Sequence, residues 1–231
     1  LKWYEELFAD RSTLESVRNT LLLAASATAV STVIGTLGAV GINKLRSKWY
    51  RTVMNTVTDI PMTNPDIITG ISLMLMFVFV GRLFGLSTSL NFFTMLAAHV
   101  TFCTPYVILN VLPKLRQMDR FTFEAAQDLG CSPKLAFYKV VIPEIMPGMV
   151  SGFLMAFTYS LDDFVISYFV SSASSQTLPV TIFSMVRKRV SPEINALTAI
   201  IFVVVLALLL LSNYYSARKE KQMMRKEEPA A

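Results

Sequence analysis

Long stretches without a single charged side chain constrain this chain more than any other feature. Residues 19–43, 83–113, 145–161 and 194–217 contain no Asp, Glu, Lys or Arg. A helix needs roughly 20 apolar residues to cross the hydrocarbon core of a bilayer, and helices satisfy their own backbone polar groups in lipid. Only 16% of the residues are charged, against about 25% in soluble domains. The sequence therefore predicts an all-α, polytopic membrane helix bundle, and a soluble helical bundle is the alternative.

Polar residues within the apolar stretches set the number of predicted spans. The stretch 83–113 is longer than one span, and its glycine, serines and asparagine before Phe92 indicate a loop. A further candidate span, about 58–81, is interrupted by two aspartates and two prolines. We therefore predict five spans in a single transmembrane domain over residues 1–231.

The positions of Lys and Arg predict the orientation of these spans. Of the 21 basic residues, four lie at 44–51, five at 114–145 and five after 217, all on one side if loops alternate. Loops rich in Lys and Arg stay in the cytoplasm, so we expect this side and the C-terminus to be cytoplasmic. The net charge of +5 is then explained by insertion and anionic lipid, and not by nucleic acid. Residues 1–18 would lie outside, so we expect a further N-terminal helix, six spans in all.

The loop at about 114–145 has a pattern that the other loops lack. Residues 121–129 predict a short helix with Glu124 and Asp128 one turn apart on its polar side. Gly130 suits a left-handed cap at the end of that helix. The loop therefore predicts a helix followed by a sharp turn.

A second short helix is expected to follow the turn. Ser132 and Pro133 are typical of an N-cap and of the first helical position. Leu135, Ala136, Tyr138 and Val140 are expected to pack, and Pro143 to close the segment before the next span. Ala125 and Ala126 would face outward and allow a partner's groove to approach closely. An ordinary amphipathic surface helix is the alternative.

Asp66 is the first acid that the membrane must accommodate. Only fifteen uncharged residues follow it, Ile67 to Gly81, and they cover about 22 Å of helix. The span must therefore include or approach Asp66, and a charge in the bilayer usually faces a polar cavity. Asp59 would share its helical face if Pro61 and Pro65 leave the helix intact.

Two adjacent acids follow the apolar stretch 145–161. Asp162 and Asp163 would lie in the outer half of the membrane or at its boundary, and no basic residue of the same span neutralises them. Tyr159 and Ser160 are their neighbours along the helix. Carboxylates beside an aromatic ring suit a linear polycation, through ion pairs and cation–π contact. A helix end that meets only water is the alternative.

The remaining chemistry-bearing residues form no motif. His99, the only histidine, is interpreted as a residue that hydrogen-bonds between helices. Cys103 lies in an apolar helix and Cys131 in the loop, so neither a disulfide nor a metal site is indicated. No catalytic residue is assigned.

The loop resembles the coupling segment of permease subunits of binding-protein-dependent ABC importers. The family pattern is Glu-Ala-Ala, three residues, Gly, nine residues, Ile, one residue, Leu-Pro. This chain matches with Glu124, Ala125, Ala126, Gly130 and Pro143, and departs conservatively with Val140 and Ile142.

Further segments resemble the polyamine (spermidine/putrescine) branch of these permeases. They cover most of the chain: Asn64 to Ile67, His99 to Cys103, Ser160 to Asp163 and Ser191 to Leu197. The resemblance implies the type I (MetI-like) permease fold in the bacterial inner membrane. In such a permease, the acids in the membrane and their neighbours are the candidates for a substrate pathway: Asp66, Tyr159, Ser160, Asp162 and Asp163.

The resemblance also implies partners. In this family the loop docks on a cytoplasmic ATPase dimer, so the coupling residues would be Glu124, Ala125, Ala126, Asp128, Gly130 and Pro143. This chain has no Gly-rich phosphate loop, so ATP and Mg would be bound by the ATPase and the chain itself would have no cofactor. A homologous second permease and an outer substrate-binding protein would complete the importer.

Three other functions stay open at this point. An importer permease for another cationic or small organic solute has the same features. An intramembrane aspartyl protease would use Asp66 and Asp162 as its carboxylate pair, but it gives the loop no role. A non-transporting membrane scaffold is the third.

Overall fold

The computed structural model describes residues 11–85, 90–172, 175–188, 198–200, 202–207 and 209–210. The chain forms two compact units, one of residues 15–181 and one of residues 1–14 with 182–231. Every regular element in the described ranges is helical, which confirms the predicted all-α class. The second unit contains the start of α1, the end of α9 and apolar helical residues within Thr198–Ala207.

The helices are numbered here in chain order. They are α1 (Arg11–Lys44), α2 (Lys48–Thr63), α3 (Asp66–Leu83), α4 (Phe92–Gln117), α5 (Arg120–Asp128), α6 (Pro133–Ala136), α7 (Ile142–Asp162), α8 (Val165–Val170) and α9 (Leu178–Lys188), with a π-helical segment (Phe137–Val141) between α6 and α7.

Four helical runs in the described residues are long and apolar enough to cross a membrane. They are α1, α3, α4 and the continuous run Pro133–Asp162. They confirm four of the five predicted spans, with the second shortened to start at Asp66. The fifth, at 194–217, lies largely outside the described residues.

α4 is the central helix of the larger unit and packs between α1 and α7. α7 presents a small residue to it at every fourth position, at Gly148, Gly152, Ala156 and Ser160, all buried. A Cβ at Gly148 would lie 2.7 Å from the Asn110 carbonyl oxygen. Small residues at this spacing let two helix backbones approach closely, which stabilises helix pairs in lipid.

Because α4 and α7 pack this closely, the same glycine-to-alanine substitution should change stability differently at two positions. Gly148→Ala should lower the stability by about 1–3 kcal/mol, the usual cost of overpacking. Gly41→Ala, in α1, meets no atom within 4 Å and should be neutral or stabilising by about 0.5–1 kcal/mol. Thermal unfolding of the purified protein in detergent measures both. Equal melting temperatures would show that α4 and α7 are not packed this closely.

Candidate functional site

The loop segment, defined here as residues 119–141, begins with α5. The Asp119 carboxylate caps α5 by accepting a hydrogen bond from the Phe121 amide at 3.0 Å. The helix ends at Asp128, and Gly130, two residues later, has a φ of +89°. The Gly130 amide donates to Gln127 O at 2.8 Å and the Cys131 amide donates to Ala126 O at 3.1 Å. This is the Schellman arrangement, so the predicted glycine cap is confirmed.

The apolar residues of α5 face two directions. Phe123 packs against the buried core, whereas Phe121 is 74% exposed and Leu129 is 87% exposed. Glu124 and Asp128 are also exposed. Large apolar side chains left in contact with solvent are typical of a surface that binds another protein.

The second helix of the loop segment begins as predicted. The Ser132 hydroxyl accepts a hydrogen bond from the Leu135 amide at 3.4 Å, and Pro133 is the first helical residue. The predicted packing is wrong for Leu135 and Tyr138, which are 42% and 70% exposed. Phe137 packs against the core instead.

A π-helical segment after α6 explains why Tyr138 is exposed. The Ile142 amide donates to Phe137 O, five residues back, so the extra residue per turn rotates the buried face. Pro143 does not close the segment as the sequence predicts: it lies in the first turn of α7, within the continuous run Pro133–Asp162. Proline removes one helical hydrogen bond and crowds the preceding turn, and the wider π turn accommodates it.

Asp66 lies beside a break between two helices. α2 ends at Thr63, the chain is extended at Asn64 and Pro65, and Asp66 is the exposed first residue of α3. The helix is not intact at Pro65, so the condition for Asp59 and Asp66 to share a helical face is not met, and the two acids lie on different helices. Breaks of this kind inside a membrane line cavities, where the freed backbone groups can be solvated.

The two adjacent acids have different environments. Asp162 is the last residue of α7 and is exposed. The Asp163 side chain is only 6% exposed, and its carboxylate accepts hydrogen bonds from the amides of Ile166 and Ser167 at 3.3 and 2.8 Å. Asp163 thus caps α8, and its carboxylate is satisfied by these amides although its own span supplies no basic residue.

His99 joins three helices at this position. Its Nδ1 and Ser160 Oγ are hydrogen-bonded at 2.8 Å, and its Nε2 and Ser167 Oγ at 3.1 Å. Asp163 Oδ2 lies 3.5 Å from Nε2. The interpretation of His99 as a hydrogen-bonding residue between helices is confirmed. Ser160 and Asp163 are both engaged in this buried network.

Aromatic rings lie one turn before Asp162. Tyr159 stacks on Tyr106 of α4, with ring centroids 4.3 Å apart, and Phe102 meets Tyr106 edge-on at 5.5 Å. Sequence reasoning missed Tyr106 and Phe102, although their spacing of four residues does place them on one helical face.

Comparison with known proteins places the chain among transport proteins. Residues 31–223 match the family described as the binding-protein-dependent transport system inner membrane component. The chain is 41% identical over 200 residues to the putrescine transport system permease protein PotI of Escherichia coli (strain K12), covering 87% of this chain and 71% of that protein. It is 40% identical over 201 residues to the spermidine/putrescine transport system permease protein PotC of Haemophilus influenzae, covering 87% and 76%.

Solved structures share the fold at lower identity. A bacterial ABC transporter involved in the import of the acidic polysaccharide alginate superposes with a TM-score of 0.79 at 17% identity, covering 94% of this chain and 83% of that one. A bacterial alginate transporter in complex with a periplasmic protein bound to an alginate pentasaccharide gives a TM-score of 0.73 at 18% identity, covering 93% and 82%.

Proposed function

Because the chain belongs to the family of binding-protein-dependent transport system inner membrane components, we propose that it forms part of the path by which a linear polyamine enters the cell. The chain is a multi-pass inner membrane protein, a permease subunit of an ABC importer, and is not itself an enzyme. What we propose beyond this is that the cargo is a polyamine, which residues form its pathway, and which residues couple the chain to an ATPase.

One observation carries the choice of a cationic cargo. Asp66 and Asp162 are both exposed, and neither has an ion pair within the described part of the chain. Two unneutralised carboxylates at or near a membrane are costly unless a cation or water meets them. A polyamine supplies several ammonium groups on a flexible chain, and the names of two relatives specify putrescine and spermidine.

The aromatic rings extend this pathway. Tyr159 lies three residues before Asp162 on α7, so both side chains occupy one side of the helix. The stacked pair of Tyr159 and Tyr106 offers a ring face beside the carboxylate, which suits an alkylammonium cation. Ser160 and Asp163 contribute differently, since they and His99 hold the ends of α7 and α8 in place.

The loop segment is the proposed contact with a cytoplasmic ATPase dimer. Phe121 and Leu129 provide exposed apolar contacts, and the acids Glu124 and Asp128 flank the small residue Ala125. In this arrangement the loop segment and the C-terminus are cytoplasmic, and ATP and Mg are bound by the ATPase. A homologous second permease and an outer substrate-binding protein complete the importer.

A rigid connection supports coupling between the two regions. The helical run Pro133–Asp162 contains 30 residues, about 45 Å at 1.5 Å per residue. One helix therefore extends from the loop segment to Asp162. A displacement of the loop segment by the closing ATPases would tilt this helix and move Asp162 relative to Asp66, which gives alternating access to the cargo.

Uptake by the assembled transporter tests the proposal. In proteoliposomes with the ATPase and the binding protein, we expect ATP-dependent uptake of labelled putrescine or spermidine. Excess unlabelled polyamine should compete, because it carries the same spaced ammonium groups, whereas a monoamine should compete weakly. Uptake of a neutral or anionic solute in preference to any polyamine would contradict the proposed cargo.

A further inference from the structure

A cavity of about 510 Å3 lies where the loop segment meets the ends of α1 and α4. Three basic residues line it: Lys44 at the end of α1, Arg46 in the link between α1 and α2, and Arg51 in α2. Among the lining residues that the structure describes, Glu124 is the only acid. The cavity therefore carries a net positive charge, which favours an anionic ligand.

None of these basic residues is neutralised by an ion pair within the described residues. Lys44 and Arg46 are exposed. Arg51 Nη2 donates to Leu45 O at 2.9 Å, while its buried Nε has no hydrogen-bond partner. A buried donor without a partner is costly, so the free protein leaves part of this cluster unsatisfied.

The rest of the cavity wall is apolar. Leu115 of α4 and Phe123 and Val141 of the loop segment are among its lining residues. A dissolved anion would fill only the basic part and leave this wall in contact with water. A ligand with both an anionic group and a hydrocarbon part matches both kinds of surface.

The adjoining helix α2 has the character of a helix at a membrane surface. None of its sixteen residues is buried. Trp49 and Tyr50 are 67% and 58% exposed, next to the basic residues Lys48 and Arg51. Aromatic and basic side chains together are typical of the level of the lipid headgroups.

We propose that this cavity binds the headgroup phosphate of an anionic phospholipid, with its hydrocarbon part against the apolar wall. Basic pockets among membrane helices bind anionic headgroups in this way. Since Phe123 and Glu124 belong to the loop segment, the bound lipid would contact both that segment and α1 and hold them together. The inference concerns a site separate from Asp66 and Asp162 and does not depend on the cargo.

Lipid retention by the assembled transporter tests this site. The transporter is reconstituted in nanodiscs of phosphatidylcholine with graded phosphatidylglycerol, extracted, and analysed by native mass spectrometry for retained phosphatidylglycerol. Arg46→Gln should retain about fivefold less, which corresponds to the roughly 1 kcal/mol that each basic residue contributes near an anionic membrane. Lys48→Gln removes the same charge nearby without touching the cavity and should retain the lipid as the unmodified protein does.

A second variant, a competition with phosphate and a test of ATPase binding distinguish the possible ligands. Lys44→Gln should reproduce the loss and serves as the second variant if Arg46→Gln does not fold. Equal retention in the Arg46 and Lys48 variants would overturn the site. If inorganic phosphate displaces the lipid, the ligand of the cavity is a free anion and not a phospholipid. If the Arg46→Gln variant loses the ATPase but retains phosphatidylglycerol unchanged, the lipid site is overturned, and the cavity binds an acidic segment of the ATPase instead.

Discussion

Asp162→Asn is expected to reduce ATP-dependent polyamine uptake at least about tenfold without lowering the melting temperature. Asp162 is exposed and makes no ion pair within the described residues. Removing its charge therefore breaks no ion pair that stabilises the fold there. A hydrogen bond to a charged group contributes about 1.5–3 kcal/mol, and 1.4 kcal/mol is a tenfold change in binding. Uptake in proteoliposomes and thermal unfolding of the same preparation give the two values.

Asp163→Asn provides the matched control, since it is the same substitution one residue later. Its carboxylate accepts two amide hydrogen bonds and lies beside His99, and Asn leaves only one oxygen to accept. We expect a loss of about 1–3 kcal/mol of stability, seen as a lower melting temperature. If Asp162→Asn transports normally, or if it unfolds while Asp163→Asn does not, the division of roles between the two acids is wrong.

The contrast between these acids marks the limit of what sequence reasoning could predict. Asp162 is the last residue of α7, whereas Asp163 follows it in extended backbone before α8, so the two side chains meet different surroundings. Which one turns inward depends on His99 and on the amides of α8, and His99 lies more than sixty residues away in the chain. Tertiary contacts of that kind have no local signature.

Local rules predicted the loop segment more completely. Gly130 and the Ser132–Pro133 pair follow from backbone preferences that act within a few residues, and both predictions are confirmed. The π-helical segment from Phe137 to Val141 does not follow from the same rules, because the α-helical periodicity of 3.6 residues leaves no place for an extra residue in a turn. That single extra residue leaves Tyr138 exposed, while the partly buried Phe137 packs against the core.

The spans show the same division between local and tertiary causes. Uncharged length predicted α1, α4 and the run that ends at Asp162, because the bilayer imposes a minimum length on any helix. The close approach of Gly148 to α4 could not be predicted from composition, although its spacing from Gly152 is typical of packed membrane helices. The prolines at 61 and 65 indicate an interruption of this span, but only the structure shows that the helix breaks at Asn64 and Pro65 and leaves Asp59 on a different helix from Asp66.

Gly130→Val is expected to reduce coupled transport at least about tenfold while the protein stays folded. At a φ of +89°, a side chain with a Cβ costs roughly 1–2 kcal/mol, and the chain can relieve that strain by reorienting α5 relative to α6. A shift of 1.4 kcal/mol in docking changes the docked population tenfold. The measurement is ATP hydrolysis stimulated by the loaded binding protein, together with uptake.

Gly85→Val is the control that separates coupling from backbone strain. Gly85 also has a positive φ, +63°, and a Cβ at either glycine would meet no atom within 4 Å. The two substitutions should therefore lower the melting temperature to a similar extent. Only Gly130 lies in the loop segment, so only Gly130→Val should lose stimulated hydrolysis and uptake. Equal transport by the two variants would mean that the bend at Gly130 does not position the contact with the ATPase, and equal loss would mean that strain alone explains the defect.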